Sequence, residues 1–215
     1  MRTTARTLTT ALLAAPLVAG AVLPASAGEA GHVRSSGTFA SIDLTGPEAS
    51  DAIPGNYLAF GSLEIFGDWA MGGASAFQCE DGAAPGDDAE GCTYVADVWF
   101  DGGDLDVSTG KGKNATTAVV GDLRMNAFSW DEETGEGNET ATIVPLDVSL
   151  TPYGKSSRET QTYTFRDGET GESFSFRATR TASRATVSGD LGDLSLDGKA
   201  GYTGSYRSQD RWRMP

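Results

Sequence analysis

FQCEDGAAPGDDAEGCTYVADVWFDGGDLD, residues 77–106, contains both cysteines of the chain and its clearest strand pattern. Cys79 and Cys92 are separated by a loop rich in glycine and acid, with no apolar period. Two cysteines in an exported chain usually pair. Closing a loop of this size stabilises a fold by about 3 kcal/mol in the chain-entropy model. The spacing therefore predicts a disulfide at the base of a surface loop.

Residues 92–101, directly after the second cysteine, alternate in the way that is typical of a half-buried strand. The larger apolar side chains, Tyr94 among them, are predicted to face inward. Trp99 then faces outward between Asp97 and Asp101. An exposed aromatic ring between two carboxylates is a candidate ligand face for a carbohydrate. The alternative is that Trp99 packs under a neighbouring loop or a second sheet, as amphipathic aromatic residues commonly do.

The beginning of the chain has the pattern of a bacterial secretory signal over residues 1–27. It has two arginines, an apolar stretch over 11–23 and the small residues Ala-Ser-Ala at 25–27. No later stretch approaches the roughly 20 apolar residues of a membrane span. The chain is therefore predicted to be secreted and extracellular.

The rest of the chain is predicted to be one all-β domain, over residues 38–215, behind a flexible segment at 28–37. The one histidine, His32, falls in that segment, where a catalytic base could not be held in a fixed geometry. Catalytic sites that need a histidine are therefore not expected.

The pattern of short strands and Gly/Asp/Asn turns predicts an antiparallel two-sheet sandwich of about ten strands. An up-and-down β-barrel is the alternative, because the strands after residue 160 follow one another almost without a gap. The clearest hairpin joins 160–166 to 173–181. Its aromatic residues are predicted to face inward: Tyr163, Phe165, Phe174 and Phe176.

The charge of the chain is strongly acidic and unevenly distributed. Loss of the predicted leader removes two arginines and no acid, so the net charge of −14 becomes −16. Residues 28–140 carry 21 acids and 4 bases, whereas residues 141–215 carry 9 acids and 10 bases. A surface of this kind argues against nucleic acids and anionic membranes as partners.

The basic residues of the second half form their own pattern. Arg177, Arg180 and Arg184, with Arg211 and Arg213 near the end, could line one sheet face and meet the acidic half, within or between molecules. The simpler interpretation, an ordinary solvated strand face, is favoured.

Calcium is a weak hypothesis for the acidic stretch. Nine carboxylates lie between residues 80 and 106, with no lysine or arginine among them. Calcium takes six to eight oxygen ligands, which loops rich in aspartate and glycine can supply. Asp101, Asp104 and Asp106 are the candidate ligands, although no calcium-loop motif is present. Otherwise no cofactor is predicted.

No motif for a nucleophile or a phosphate-binding loop occurs in the sequence, and no catalytic residue is assigned. The sequence therefore favours a non-enzymatic secreted module that binds an unknown extracellular ligand, such as a carbohydrate or a protein. Two alternatives remain. A carboxylate-dependent glycoside hydrolase would show two facing acids in a cleft. A β-barrel carrier of a small apolar ligand would show a large apolar cavity.

Overall fold

The computed structural model describes residues 30–47, 50, 53–86, 91–111, 115–131 and 134–213. Over these residues the chain is all-β, as predicted. This part of the chain has no helix that could serve as a membrane span. The predicted leader at 1–27 and three acids of the disulfide loop, Asp87, Asp88 and Glu90, lie outside the described residues.

Eleven strands, numbered in chain order, make up the described fold. They are β1 Ala30–Asp43, β2 Gly46–Pro47, β3 Tyr57–Phe66, β4 Trp69–Cys79, β5 Cys92–Gly102, β6 Asp106–Thr109, β7 Thr117–Asp131, β8 Glu136–Arg166, β9 Ser173–Leu191, β10 Leu194–Ser195 and β11 Ala200–Arg213.

All the pairings between these strands are antiparallel, in the order β1-β11-β9-β8-β7-β5-β4-β3-β2. β1 also pairs with β3, so the pairing passes through eight long strands and returns to its start. β6 and β10 add short edges to β7 and β9. The eight strands of this circuit therefore have a hydrogen-bonded neighbour on each side along part of their length.

The inward side chains of these strands pack into one apolar cluster. Alternation along the strands supplies them, as at Leu146, Val148 and Leu150 in β8. A fully buried leucine or valine contributes about 1.5–3 kcal/mol relative to an exposed one. The cluster therefore fixes the strand register, because a shift by one residue would expose each inward side chain.

A buried polar contact crosses the interior at one end of this cluster. The hydroxyls of Thr117 in β7 and Thr203 in β11 lie 2.7 Å apart and share a hydrogen bond. The two strands are not neighbours in the sheet, so opposite walls touch directly here. Beyond this contact the inward side chains are no longer apolar.

The disulfide between Cys79 and Cys92 is present, as predicted from the spacing. It joins the end of β4 to the start of β5, at the base of the acidic loop. Asn56 holds the same end: its side chain accepts a hydrogen bond from the Cys79 amide at 2.7 Å and donates one to the Cys79 carbonyl at 2.8 Å.

The segment predicted to be a flexible mature terminus is a strand where it is described. β1 begins at Ala30, and residues 30–37 pair continuously with β11. The ladder with β11 gives this segment backbone partners along its whole described length. Gly31 leaves the space that the Trp212 indole fills, since a Cβ at this position would collide with the ring.

The long strand β8 continues through residues 151–159. A bulge between Tyr153 and Ser157 takes up the extra residues, and pairing with β9 resumes beyond it. Pro145 lies in the same strand and has no N–H to donate to a ladder. It pairs with Asp122 of β7 one residue before the ladder with β9 begins, so no second ladder bond is required of it.

Two predictions about inward aromatic residues are wrong. Tyr94 is exposed, because the register of β4 and β5 shifts between Ala76 and Phe77, and its ring packs edge-on against Phe77 at 5.8 Å. The aromatic residues of the β8–β9 hairpin also lie on an exposed face: Tyr163, Phe165, Phe174 and Phe176. The hairpin alternates as expected, but its aromatic side points away from the interior.

Replacing both cysteines, in a Cys79→Ser/Cys92→Ser variant, should lower the free energy of unfolding by about 3 kcal/mol. The reason is that the unfolded chain regains the entropy which the 13-residue separation removes. Urea unfolding measures the difference. The oxidised wild type should also gain no mass from alkylation without reduction. Two alkylated thiols in the native protein would contradict the assignment.

Candidate functional site

The candidate site is a sheet that projects beyond the core. β3 ends at Phe66, opposite Phe39 of β1, and β7 begins at Thr117, opposite Leu150 of β8. β1, β11, β9 and β8 continue past these points and pair only with one another. We call residues 30–38, 157–166, 173–183 and 204–213 the four-stranded extension.

One face of this extension continues the inward face of the core. In β9, Ala185 and Val187 point into the apolar cluster, and the same parity leads to Thr179 and Arg177. Among the described residues no strand covers these positions, because β3 and β7 do not extend this far. The inward face therefore becomes polar where its cover stops.

Seven arginines lie on this face, which we call the arginine face. They are Arg34, Arg158, Arg166, Arg177, Arg207, Arg211 and Arg213. The registers place serine, threonine, glutamine, His32 and Ala30 at the other positions. Over the described residues of the four strands, this face carries no carboxylate.

An open groove of about 460 Å³ lies on the arginine face. Side chains from all four strands line it, including Arg34, Arg158, Arg177 and Arg207. A neutral amide also faces the arginines. With the Gln209 amide oriented to satisfy its neighbours, its oxygen accepts from Nε and Nη2 of Arg211 at 2.9 and 3.0 Å. The groove therefore presents several guanidinium groups, whose N–H groups are hydrogen-bond donors.

The opposite side of the same strands is an aromatic face. It consists of Tyr163, Phe165, Phe174, Phe176 and Trp212. One cross-strand row contains Trp212, Phe174 and Phe165, and the next row contains Phe176 and Tyr163. The exposed fraction is 57% for Tyr163 and 47% for Phe165. Their rings cover no core, which is unusual for so many aromatic side chains together.

A carboxylate without a partner lies among these rings. Asp210 of β11 is paired with Val33 on one side and with Phe176 on the other. Its Oδ1 is buried and accepts no hydrogen bond within the described structure. A buried acceptor left unsatisfied in this way costs free energy.

A cluster on the outer surface fixes the base of the extension. The ring of Phe39 is fully buried, packs against the Phe66 ring and has the guanidinium of Arg180 at 3.2 Å from its centroid. Beside it, the Ser41 hydroxyl donates to Glu64 at 2.6 Å. Stacking of a guanidinium on an aromatic ring is favourable, more so away from water.

The pKa values of two side chains in this cluster are shifted by their surroundings. Burial raises the pKa of Glu64, although the hydrogen bond from Ser41 and the charge of Arg180 oppose the change. Burial also lowers the pKa of Arg180, against the attraction of Glu64 and Glu159. The pair therefore joins β3 to β9 at a cost in desolvation.

The face predicted from the β5 pattern lies elsewhere, over the core. Trp99 is half-buried, and its cross-strand neighbours are Gly73 and Asn126. Asp97 and Asp101 flank it on the same exposed side of β5, and Asp97 accepts from Ser75 at 3.1 Å.

The three candidate calcium ligands stand in different elements. Asp101 is near the end of β5, Asp104 is in the following loop with a φ of +61°, and Asp106 starts β6. No three His, Cys, Asp or Glu side chains come together to hold a metal ion in the part of the chain that the structure describes.

Comparison with known proteins gives a negative finding. No family model, curated protein or solved structure matches the chain. Function must therefore be argued from the side chains themselves.

The sequence placed some residues of the extension correctly and missed their arrangement. Arg177, Arg211 and Arg213 share a face, but Arg180 and Arg184 lie on the other side. The alternation of residue types along β9 could have indicated the two faces. In 173–181, the positions that alternate with the phenylalanines carry serine, arginine and threonine, so the two faces were already chemically distinct.

Glu64→Gln should flatten the dependence of stability on pH. The ordinary pKa is 4.5 and the folded value is higher, so the folded protein binds more protons between the two values. Stability should then fall as pH rises through that window. Urea unfolding between about pH 4 and pH 7 tests this. Glu139→Gln, at an exposed carboxylate, is the control and should keep the wild-type profile. An unchanged profile in Glu64→Gln would contradict the role of burial.

Calcium should not raise the melting temperature through Asp101, Asp104 and Asp106. The described carboxylates do not converge, so exposed charges screened by salt offer little to a divalent ion. Thermal melts in EDTA and in CaCl₂ at matched ionic strength measure the effect. A raised midpoint that Asp101→Asn and Asp104→Asn abolish would restore the calcium hypothesis.

Proposed function

We propose that the protein is a non-enzymatic extracellular binding module that recognises a carbohydrate with its aromatic face. The observation that carries the proposal is the set of five rings on one face of three adjacent strands, of which Tyr163, Phe165 and Phe174 are exposed. Exposed apolar patches of this kind are characteristic of interaction sites.

The geometry of the rings suits a chain of sugars. Adjacent strands are about 4.8 Å apart, so a cross-strand row of three rings offers a platform roughly 10 Å long. Aromatic rings provide a large apolar surface, on which the apolar faces of sugar rings can stack. Trp212 lies against the backbone at Gly31, which supports the indole from below.

Asp210 supplies the polar part of this recognition. Its unpartnered Oδ1 lies in the row next to Trp212, between Val33 and Phe176. The Asp210 side chain as a whole is only half-buried, so a sugar hydroxyl could donate to its carboxylate from the aromatic face. Ligand sites commonly combine apolar surface with a few such polar groups.

The hydrolase alternative receives less support. Two open depressions in the described structure are lined by the arginine face and by the adjoining edge near Ala30 and Trp212. Neither is lined by a carboxylate, whereas glycoside hydrolysis requires an acid on each side of the scissile bond.

The carrier alternative also receives less support. The inward side chains of the central strands pack against one another in a single apolar cluster. The 460 Å³ groove is lined by arginine, serine, threonine and glutamine, which do not suit an apolar ligand.

An extracellular location fits the disulfide. Disulfides form and persist in oxidising compartments and are rare in reducing ones. The leader pattern at 1–27 supports the same proposal.

Trp212→Ala should weaken carbohydrate binding by about tenfold or more, because the platform loses its largest ring. Affinity electrophoresis against cellulose derivatives, starch, xylan, mannan and soluble chitin measures retention. Wild type should be retained by at least one of these neutral polysaccharides. Asp210→Asn should weaken the same interaction.

Trp99→Ala is the matched control, since it removes an indole from the other candidate face, beside Asp97 and Asp101. It should bind as wild type does. Loss of binding in Trp99→Ala alone would move the site to that face. Failure of the wild type to bind any neutral polysaccharide would overturn the proposed function.

A further inference from the structure

We propose that the arginine face is a second binding site, for an anionic polysaccharide that carries sulfate or phosphate esters. This inference does not depend on the proposed function, because it concerns the opposite side of the four strands. It rests on the number of arginines, on the absence of acids between them and on the polar groups that surround them.

The arrangement of the arginines indicates an extended ligand. Arg34 and Arg177 occupy the same cross-strand row, with Gln209 between them. Arg213 and Arg158 lie eight residue positions apart along the strand direction when traced through the registers. This separation corresponds to roughly 26 Å at about 3.3 Å per residue. A small anion could contact only part of such an array.

The positive charge of this face is not neutralised within it. Serine, threonine, glutamine and histidine are the polar side chains between the arginines, and the described positions include no acid. The chain as a whole has a net charge of −14, so the basic face is a local exception. Like charges gathered on one surface repel one another, and a bound polyanion would relieve that repulsion.

The chemistry of the groove favours tetrahedral oxyanions. A guanidinium presents a planar fork of N–H donors that matches phosphate and similar oxyanions, with two parallel hydrogen bonds. Ser36 and Thr179 place hydroxyl groups between the guanidinium groups of the groove. The groove is open along the sheet, so a chain can lie in it without its ends being enclosed.

Nucleic acid fits this face less well. Proteins that bind single strands without sequence preference stack bases on aromatic rings next to a basic groove. The described arginine face has no Phe, Tyr or Trp, because the alternation of each strand sends those residues to the other side. A polysaccharide ester needs no stacking here, since its charged groups project from the chain.

Binding is measured with dextran sulfate and with a phosphorylated mannan, with uncharged dextran of matched size as the negative probe. Wild-type protein should bind one or both charged polymers and should not bind dextran on this face. The polymer that binds more tightly identifies sulfate or phosphate as the preferred ester. Affinity should fall steeply as NaCl rises from about 0.05 to 0.5 M, because bound counterions are released.

Arg177→Ser/Arg207→Ser should reduce the affinity for the charged polymer by about tenfold or more. Arg124→Ser/Arg184→Ser is the matched control. It changes the net charge equally, but its arginines are exposed outside the arginine face. Melting temperatures establish that both variants are folded. Arg158→Gln, a single change at the rim of the groove, gives an independent measure if the double variant is unstable.

Several results would overturn the proposal. The first is an equal loss of affinity for the charged polymer in the two double variants. The second is no binding of either charged polymer by the wild type at low salt. The third is tighter binding of single-stranded DNA than of either polymer. Concentration-dependent self-association that Arg177→Ser/Arg207→Ser abolishes would instead assign the face to the acidic surface of a second copy. Trp212→Ala should leave polyanion binding unchanged, so the two proposed sites can fail separately.

Discussion

The unequal length of neighbouring strands is the constraint on which the rest of the structure depends. β3 and β7 stop beside Phe39 and Leu150, while the strands that pair with them continue. An apolar inward face would be unstable without cover, since each exposed aliphatic side chain loses about 1.5–3 kcal/mol of burial. The change from Val187 to Arg177 along β9 follows from this loss of cover. A strand can therefore serve the core at one end and a ligand at the other.

Alternation then gives the extension two faces of different chemistry. Successive side chains of a strand point to opposite sides, so Phe176 and Arg177 cannot share a surface. The backbone ladder holds both faces in register, and the cluster around Phe39, Arg180 and Glu64 joins the extension to the body. Neither face contributes a large buried area, which leaves their side chains available for ligands.

Much of the fold was predictable from local pattern. The disulfide and the all-β class followed from spacing and alternation, which depend on neighbouring residues. Alternation also separated the phenylalanines of β9 from its arginines. Alternation could not show which side faces the core, because that depends on where β7 begins, at Thr117, far away in sequence. The rule that aromatic residues face inward therefore failed at Tyr163, where no opposing wall exists.

The most direct test of this account is hydroxyl-radical footprinting of the free protein, with oxidation located by peptide mass spectrometry. Tyr163 and Phe165 should be oxidised at rates typical of exposed rings, since their exposed fractions are 57% and 47%. Phe100, at 1%, should be protected. In a parallel hydrogen-exchange measurement, the backbone amides of 173–183 should nevertheless exchange slowly, because β9 is hydrogen-bonded to a strand on each side. Protection of Tyr163 and Phe165 equal to that of Phe100 would contradict the central claim that the aromatic face is uncovered.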